Sequence, residues 1–342
     1  MREPGSGNIP SFETAAGLRN PHLQTVVSRI VRSRKEPRYS RTRLDTPDGD
    51  FVDLDVWPGP DEPVGVCLLL HGLEGSARSG YMMSTSEALA AGGIQAVALN
   101  FRSCSGEPIR LPRAYHSWQT DDIERALTWL SERYPGVPRT SVGFSLGGNA
   151  LLNLLGRDQG DSGLVAAVVV SVPYDLSASA TVLDRGPIRL YGRRFLRSLR
   201  SKAREKAARF PEIVVPEAAS ARTLREFDDL LTAPLHGFRD AADYYERCSS
   251  GQFVGSVTIP VLLIHSRDDP LAPVASMPLE TIRRRPNLSL HLTERGGHVG
   301  FLDRRLGTGP GGWLEQSIGR YLTGKLSPGD NVRSSRAVLY GL

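Results

Sequence analysis

Ser145, Asp269 and His298, set far apart in a chain of 342 residues, have the types and the order that acyl transfer through a serine requires. A serine hydroxyl is a weak nucleophile at neutral pH; it needs a base to take its proton and an acid to hold that base in one tautomer. Ser145 stands in Ser141-Val142-Gly143-Phe144-Ser145-Leu146-Gly147-Gly148-Asn149-Ala150, a G-x-S-x-G pattern. In that pattern a strand turns sharply into a helix and pushes the hydroxyl out of the sheet, with small residues at 143 and 147 letting the two elements pass closely. With 35 glycines in the chain a chance match is not rare. The setting gives this one its weight, because 140–144 reads as a short buried strand and 149–155 as an apolar helix.

The acid and the base are each read from a loop. Asp268 and Asp269 are adjacent, so their side chains diverge and only one can reach the histidine. Asp269 is preferred because Pro270 and Pro273 fix the turn at the point where the acid must be aimed. Asp268 is left to cap the loop or to form a salt bridge. His298 lies between Gly297 and Gly300, which permit a tight loop presenting the imidazole.

These residues need a sheet to carry them. Val64-Gly65-Val66-Cys67-Leu68-Leu69-Leu70 is a continuous apolar run, as in a strand covered on both faces, and ends in His71-Gly72-Leu73-Glu74-Gly75-Ser76. A loop there, with the residue after the nucleophile, supplies backbone N–H groups to an oxyanion, so Leu73 and Leu146 are the candidates. His71 could be read as a base, but a brace for its loop is the better reading. Strand and helix alternate from 64 to 156, the pattern of β-α-β units in a mostly parallel sheet. Further strands are expected over 51–57, 94–99, 164–172, 261–265 and 288–292, and helices over 84–91, 121–130 and 313–322. Alternation lapses over about 174–255, which predicts a helical cap above the carboxyl ends of the strands, where ligands of open α/β sheets bind. The domain is expected to span 21–324, between flexible tails at 1–20 and 325–342. The segment Pro21-His22-Leu23-Gln24-Thr25-Val26 is too short to carry chemistry, and His22 reads as a structural residue.

Taken together, these segments resemble the YheT-type α/β-hydrolase family, which includes eukaryotic abhydrolase-domain lipases and yeast medium-chain ethyl ester synthase/esterases. Beyond the segments above, Asn100-Phe101-Arg102 and Cys104-Ser105-Gly106-Glu107 also match. The resemblance implies the α/β-hydrolase fold and a triad at Ser145, Asp269 and His298, in agreement with the choice of the second aspartate. Ser103 and Trp118 depart from it, standing where glycine is usual.

Composition bounds the rest. The longest apolar run, at 164–172, is well short of the roughly 18 residues of a membrane span, and the N-terminal residues have no secretory h-region. The expected compartment is the cytoplasm. Cys67, Cys104 and Cys248 are an odd, unclustered set that fits neither a disulfide framework nor a zinc site and reads as reduced thiols. No metal or organic cofactor is implied. The net charge of +5 is local, concentrated between Arg185 and Arg209. That stretch reads as a solvated basic helix face; the alternative is an interfacial helix, with Leu190, Phe195, Leu196 and Leu199 on one side, in weak contact with an anionic membrane. Nucleic acid is not implied. The predicted activity is cleavage of carboxylic esters, acyl or lipid-like, through an acyl-serine. Acyl transfer to an alcohol, or ligand binding without catalysis, are the alternatives.

Overall fold

The computed structural model describes residues 9–32, 39–158, 160–212 and 216–326. Among these residues eight strands form one sheet: β1 (Ser40–Asp45), β2 (Phe51–Val56), β3 (Gly65–Leu70), β4 (Ile94–Asn100), β5 (Arg139–Phe144), β6 (Leu164–Val170), β7 (Val261–Ser266) and β8 (Leu288–Thr293). Their order is β1-β2-β4-β3-β5-β6-β7-β8. The first two strands join antiparallel at one edge and the other six run parallel. Successive side chains of a strand point to opposite faces, and β3 shows the result: Val66, Leu68 and Leu70 enter one apolar cluster, Cys67 and Leu69 the other. Both faces are covered, which is why β3 reads as an unbroken apolar run.

The helices are α1 (Pro21–Arg32), α2 (Gly80–Ala91), α3 (Thr120–Arg133), α4 (Leu146–Asp158), α5 (Leu176–Leu183), α6 (Arg189–Arg209), α7 (Leu224–Phe227), α8 (Ala233–Leu235), α9 (Ala241–Cys248), α10 (Leu279–Arg284) and α11 (Trp313–Leu326). The fold is the α/β-hydrolase fold with a helical insertion around 186–256. Among the described residues no helix is long and apolar enough to cross a membrane, and the three cysteines are free thiols.

Two expectations need correction. Residues 9–20 are not a free tail: Thr14 bridges Asp303, Ala15 is buried, and Phe12 packs its ring on Phe301 and Trp313. Aromatic contacts far along the chain hold a stretch whose own composition is polar. Residues 1–8 and 327–342 lie outside the described residues, apart from which α11 continues to Leu326. The segment from Pro21 opens a three-turn helix that braces the site. Finally, α6 is not wholly solvated, and most of its apolar side is turned into the cap. Leu196 is buried and Phe195 and Leu199 pack with it in the cap's own cluster, while Arg200 and Arg204 donate to Ala219 O, Lys206 to Arg113 O and Arg209 to Ile109 O. Only Leu190 of the four apolar residues is exposed, at 68%.

Candidate active site

Ser145 sits between β5 and α4 with φ +51°, a left-handed conformation that costs a non-glycine residue on the order of 1–3 kcal/mol. Its N–H donates to Val170 O at 2.8 Å, which pins the turn to β6. The flanking glycines are needed for close approach. A Cβ at Gly143 would lie 2.6 Å from Gly148 Cα, and one at Gly147 would lie 2.5 Å from Leu70 O.

His298 comes from the loop after β8, and its Nε2 stands 2.9 Å from Ser145 Oγ. Its Nδ1 lies 3.0 and 2.9 Å from the two carboxylate oxygens of Asp269, in the loop after β7. Asp269 Oδ1 also accepts the N–H groups of Leu271 and Ala272, both at 2.9 Å. Burial alone would raise this carboxyl; the adjacent His298 imidazole and the backbone donors outweigh it and hold the group below the usual carboxylate range. Asp268 turns away and accepts Gly297 N–H at 3.0 Å, so it braces the histidine loop.

That loop is clamped from the other side by α1. Thr25 Oγ1 accepts His298 N–H at 2.9 Å, and Arg32 donates to Val299 O and Gly300 O at 2.9 and 2.8 Å while paired with Glu315. Ser171 Oγ accepts Val299 N–H at 3.0 Å. The imidazole therefore has little freedom.

The loop after β3 approaches the serine closely, since a Cβ on Gly72 would be 3.1 Å from Ser145 Cβ. Leu73 and Leu146 line the same cavity as Ser145 and His298. Leu146 opens α4, where first-turn N–H groups have no intrahelical acceptor and favour a developing negative charge. Tyr81 OH accepts Gly72 N–H at 2.9 Å and Tyr115 OH accepts Glu74 N–H at 2.8 Å. His71 braces the strand end: Nε2 accepts Phe101 N–H at 3.1 Å, so Nδ1 carries the proton toward Gly72 O at 2.8 Å. Full burial pushes its pKa down to about 4, and both ring nitrogens are taken by backbone partners.

The attachment between this loop and the cap leaves no trace in the local sequence. Glu74, at φ +53°, accepts from Lys202 Nζ at 2.8 Å and from Ser198 Oγ, both on α6. Lys202 also reaches Cys104 Sγ at 3.4 Å. Partners 124 and 128 residues apart leave no local pattern; only the odd placement of an acid within a glycine-rich loop could have flagged Glu74.

Two hollows meet at Ser145. One runs under the cap and is walled by Leu183, Phe195, Leu199, Phe227, Leu231 and Leu271, with Asp228 and Lys206 also on its lining. Burial pushes Asp228 up to about 6 and Lys206 down to about 8. The other is a cleft toward α1, edged by Val26, Arg29, Tyr191 and Arg194. Ser103, at φ +64°, lines the first hollow; Trp118 instead packs edge-on against Phe253 beneath Arg157. Among the described residues no His/Cys/Asp/Glu group is arranged to hold a metal ion.

The chain has relatives among known proteins. The alpha/beta hydrolase fold family matches residues 66–305. The chain is 40% identical over 319 residues to the esterase candidate YheT of Escherichia coli (strain K12), covering 91% of this chain and 93% of that protein. It is 33% identical over 293 residues to mouse phospholipase ABHD3, covering 82% and 70%, and 29% identical over 314 residues to a Saccharomyces cerevisiae monoacylglycerol lipase, covering 87% and 69%. Among solved structures, the Pyrococcus furiosus esterase Pf2001 shares the fold with a TM-score of 0.58 at 18% identity, over 94% of this chain and 98% of that one. The chain belongs to the YheT-like family of α/β hydrolases.

Proposed function

We propose that the protein is a serine hydrolase that cleaves carboxylic esters with an apolar acyl group, including acyl-lipids, through an acyl-serine intermediate. His298 Nε2 takes the Ser145 proton as Oγ attacks the ester carbonyl, and the N–H groups of Leu73 and Leu146 receive the oxyanion. The intermediate collapses as His298 returns that proton to the departing alcohol, leaving the acyl group on Oγ. Water, deprotonated by the same imidazole, then releases the acid and restores the serine. Asp269 fixes the tautomer and stabilises the imidazolium. The observation that carries this reading is the line Ser145 Oγ, His298 Nε2, His298 Nδ1, Asp269, with both steps at 2.9 Å. The apolar wall under the cap suits an acyl chain, and relatives named as phospholipase and monoacylglycerol lipase make lipid esters the natural substrates to try.

A fluorophosphonate probe tests the reading. Labelling of the wild type at Ser145, lost in Ser145→Ala together with p-nitrophenyl butyrate hydrolysis, is expected. A wild type that neither labels nor hydrolyses short esters would make this a binding protein on a hydrolase fold.

A further inference from the structure

Helix α1 is packed with its polar side inward. Its buried residues are Gln24, Ser28 and Arg32. Gln24 exchanges two hydrogen bonds with the Leu302 backbone and Arg32 is paired with Glu315, so the inward face is fully engaged. The apolar residues of the same helix, Leu23, Val26 and Ile30, are 47, 44 and 57% exposed. Their spacing of three and four places them on one narrow stripe. A surface helix ordinarily buries such a stripe.

The stripe continues onto α6. Tyr191 stacks on His22 with ring centroids 5.8 Å apart, which brings the neighbouring Leu190, 68% exposed, beside α1. Four of the six large apolar side chains exposed among the described residues thus lie on these two adjoining helices, which together make a ridge. Arginines flank it. On α6, Arg193, Arg194 and Arg197 share a helical face with Leu190 and have no ion pair among the described residues. Burial and the nearby Arg194 guanidinium both draw Arg29 below the usual arginine range, so positive charge is gathered here.

We propose that this ridge docks the protein on an anionic lipid bilayer, its apolar side chains entering the headgroup region and its arginines meeting lipid phosphates. Charge selects this occupant: a second copy would set arginine against arginine, whereas an anionic surface complements both parts of the ridge. The cleft supplies a second argument. It is edged by Val26, Arg29, Tyr191 and Arg194 at the ridge and reaches Ser145 and His298 at its floor. A lipid ester can therefore pass from the bilayer to the serine within the cleft, a use of the ridge that rests on the hydrolase reading, while the docking does not.

The test is co-sedimentation with vesicles of phosphatidylcholine alone or mixed with phosphatidylglycerol, at low and high salt. Leu23→Ser/Ile30→Ser/Leu190→Ser removes the apolar part and Arg193→Gln/Arg197→Gln the charge; none of these residues lines either hollow. The wild type should partition onto anionic vesicles about tenfold more than either variant, and salt should weaken it. Hydrolysis of p-nitrophenyl butyrate should be unchanged in both, and Ser145→Ala should bind vesicles like the wild type, so failure of docking and failure of the hydrolase reading are told apart. No binding to anionic vesicles at low salt, or binding undiminished in both variants, would overturn the proposal. So would a wild-type dimer in sedimentation velocity that the serine variant dissociates, which would give the ridge to a second copy.

Discussion

The sheet beneath Ser145 and the cap above it are held by different forces. Around β3, β5 and β6 the attachment is apolar: Leu68, Leu69, Leu70, Val142, Val168 and Val169 are all fully buried, and each such side chain contributes about 1.5–3 kcal/mol. The cap packs mainly on itself, with Leu271 the one member of its cluster drawn from the loops that hold the acid. Under α6 its ties to the floor are polar, through Lys202 to Glu74, Lys206 to Arg113 O and Arg209 to Ile109 O, whereas α9 is set deeper, with Leu146 and Trp118 packed on its cluster and Tyr244 bonded to Ser117. The partly exposed Lys202–Glu74 pair contributes about 0–1 kcal/mol. Damage to the floor should therefore unfold the protein or abolish chemistry, whereas damage to the Lys202–Glu74 tie should loosen the loop after β3 and leave the fold intact.

The largest expected effect lies at the edge of the floor. Asp269→Asn should lower kcat/KM by on the order of 10⁴, because the imidazole loses its tautomer, while Asp268→Asn should cost about tenfold or less, since that residue only braces Gly297. Equal losses would erase the distinction between the two aspartates. Next, Gly147→Ala forces a Cβ against Leu70 O and His71 O. It should destabilise the fold by about 3 kcal/mol or more in urea unfolding; a mild effect would mean that the elbow can relax.

The floor also predicts a pH dependence. His71 is held near pKa 4 against 6.5 when free, so the folded protein binds fewer protons than the unfolded chain between those values. Its contribution is full above pH 6.5 and is lost as pH falls toward 4, by roughly 3 kcal/mol. His71→Asn should flatten that part of the stability curve. The smallest effect belongs to the cap: Lys202→Met should lower kcat by about tenfold with KM for a short ester and Tm nearly unchanged. A large fall in Tm there would show that the ties hold the fold after all.

The same contrast explains what could be read from the sequence. The elbow, the two loops bearing acid and base, and most strands were legible because each is a local pattern: small residues at fixed offsets, or apolar runs of strand length. α2 begins at Gly80, one turn before the apolar residues that marked it, and the short α10 had too few residues to show a period. The amphipathic pattern of α6 was visible, but not the direction its apolar side would face. α1 escaped because the expected rule is inverted there, with Gln24, Ser28 and Arg32 inward. Glu74 and Lys202 escaped because a pair spanning 128 residues is set by the fold alone.

The central claim is that Ser145 carries the acyl group, and it is most directly tested by acid-quenching the enzyme within its first turnovers of a medium-chain p-nitrophenyl ester and locating the adduct by peptide mass spectrometry. A mass increase equal to the acyl group is expected on Ser145 and not in Ser145→Ala. Turnover with no adduct on Ser145, or an adduct on another side chain, would contradict it.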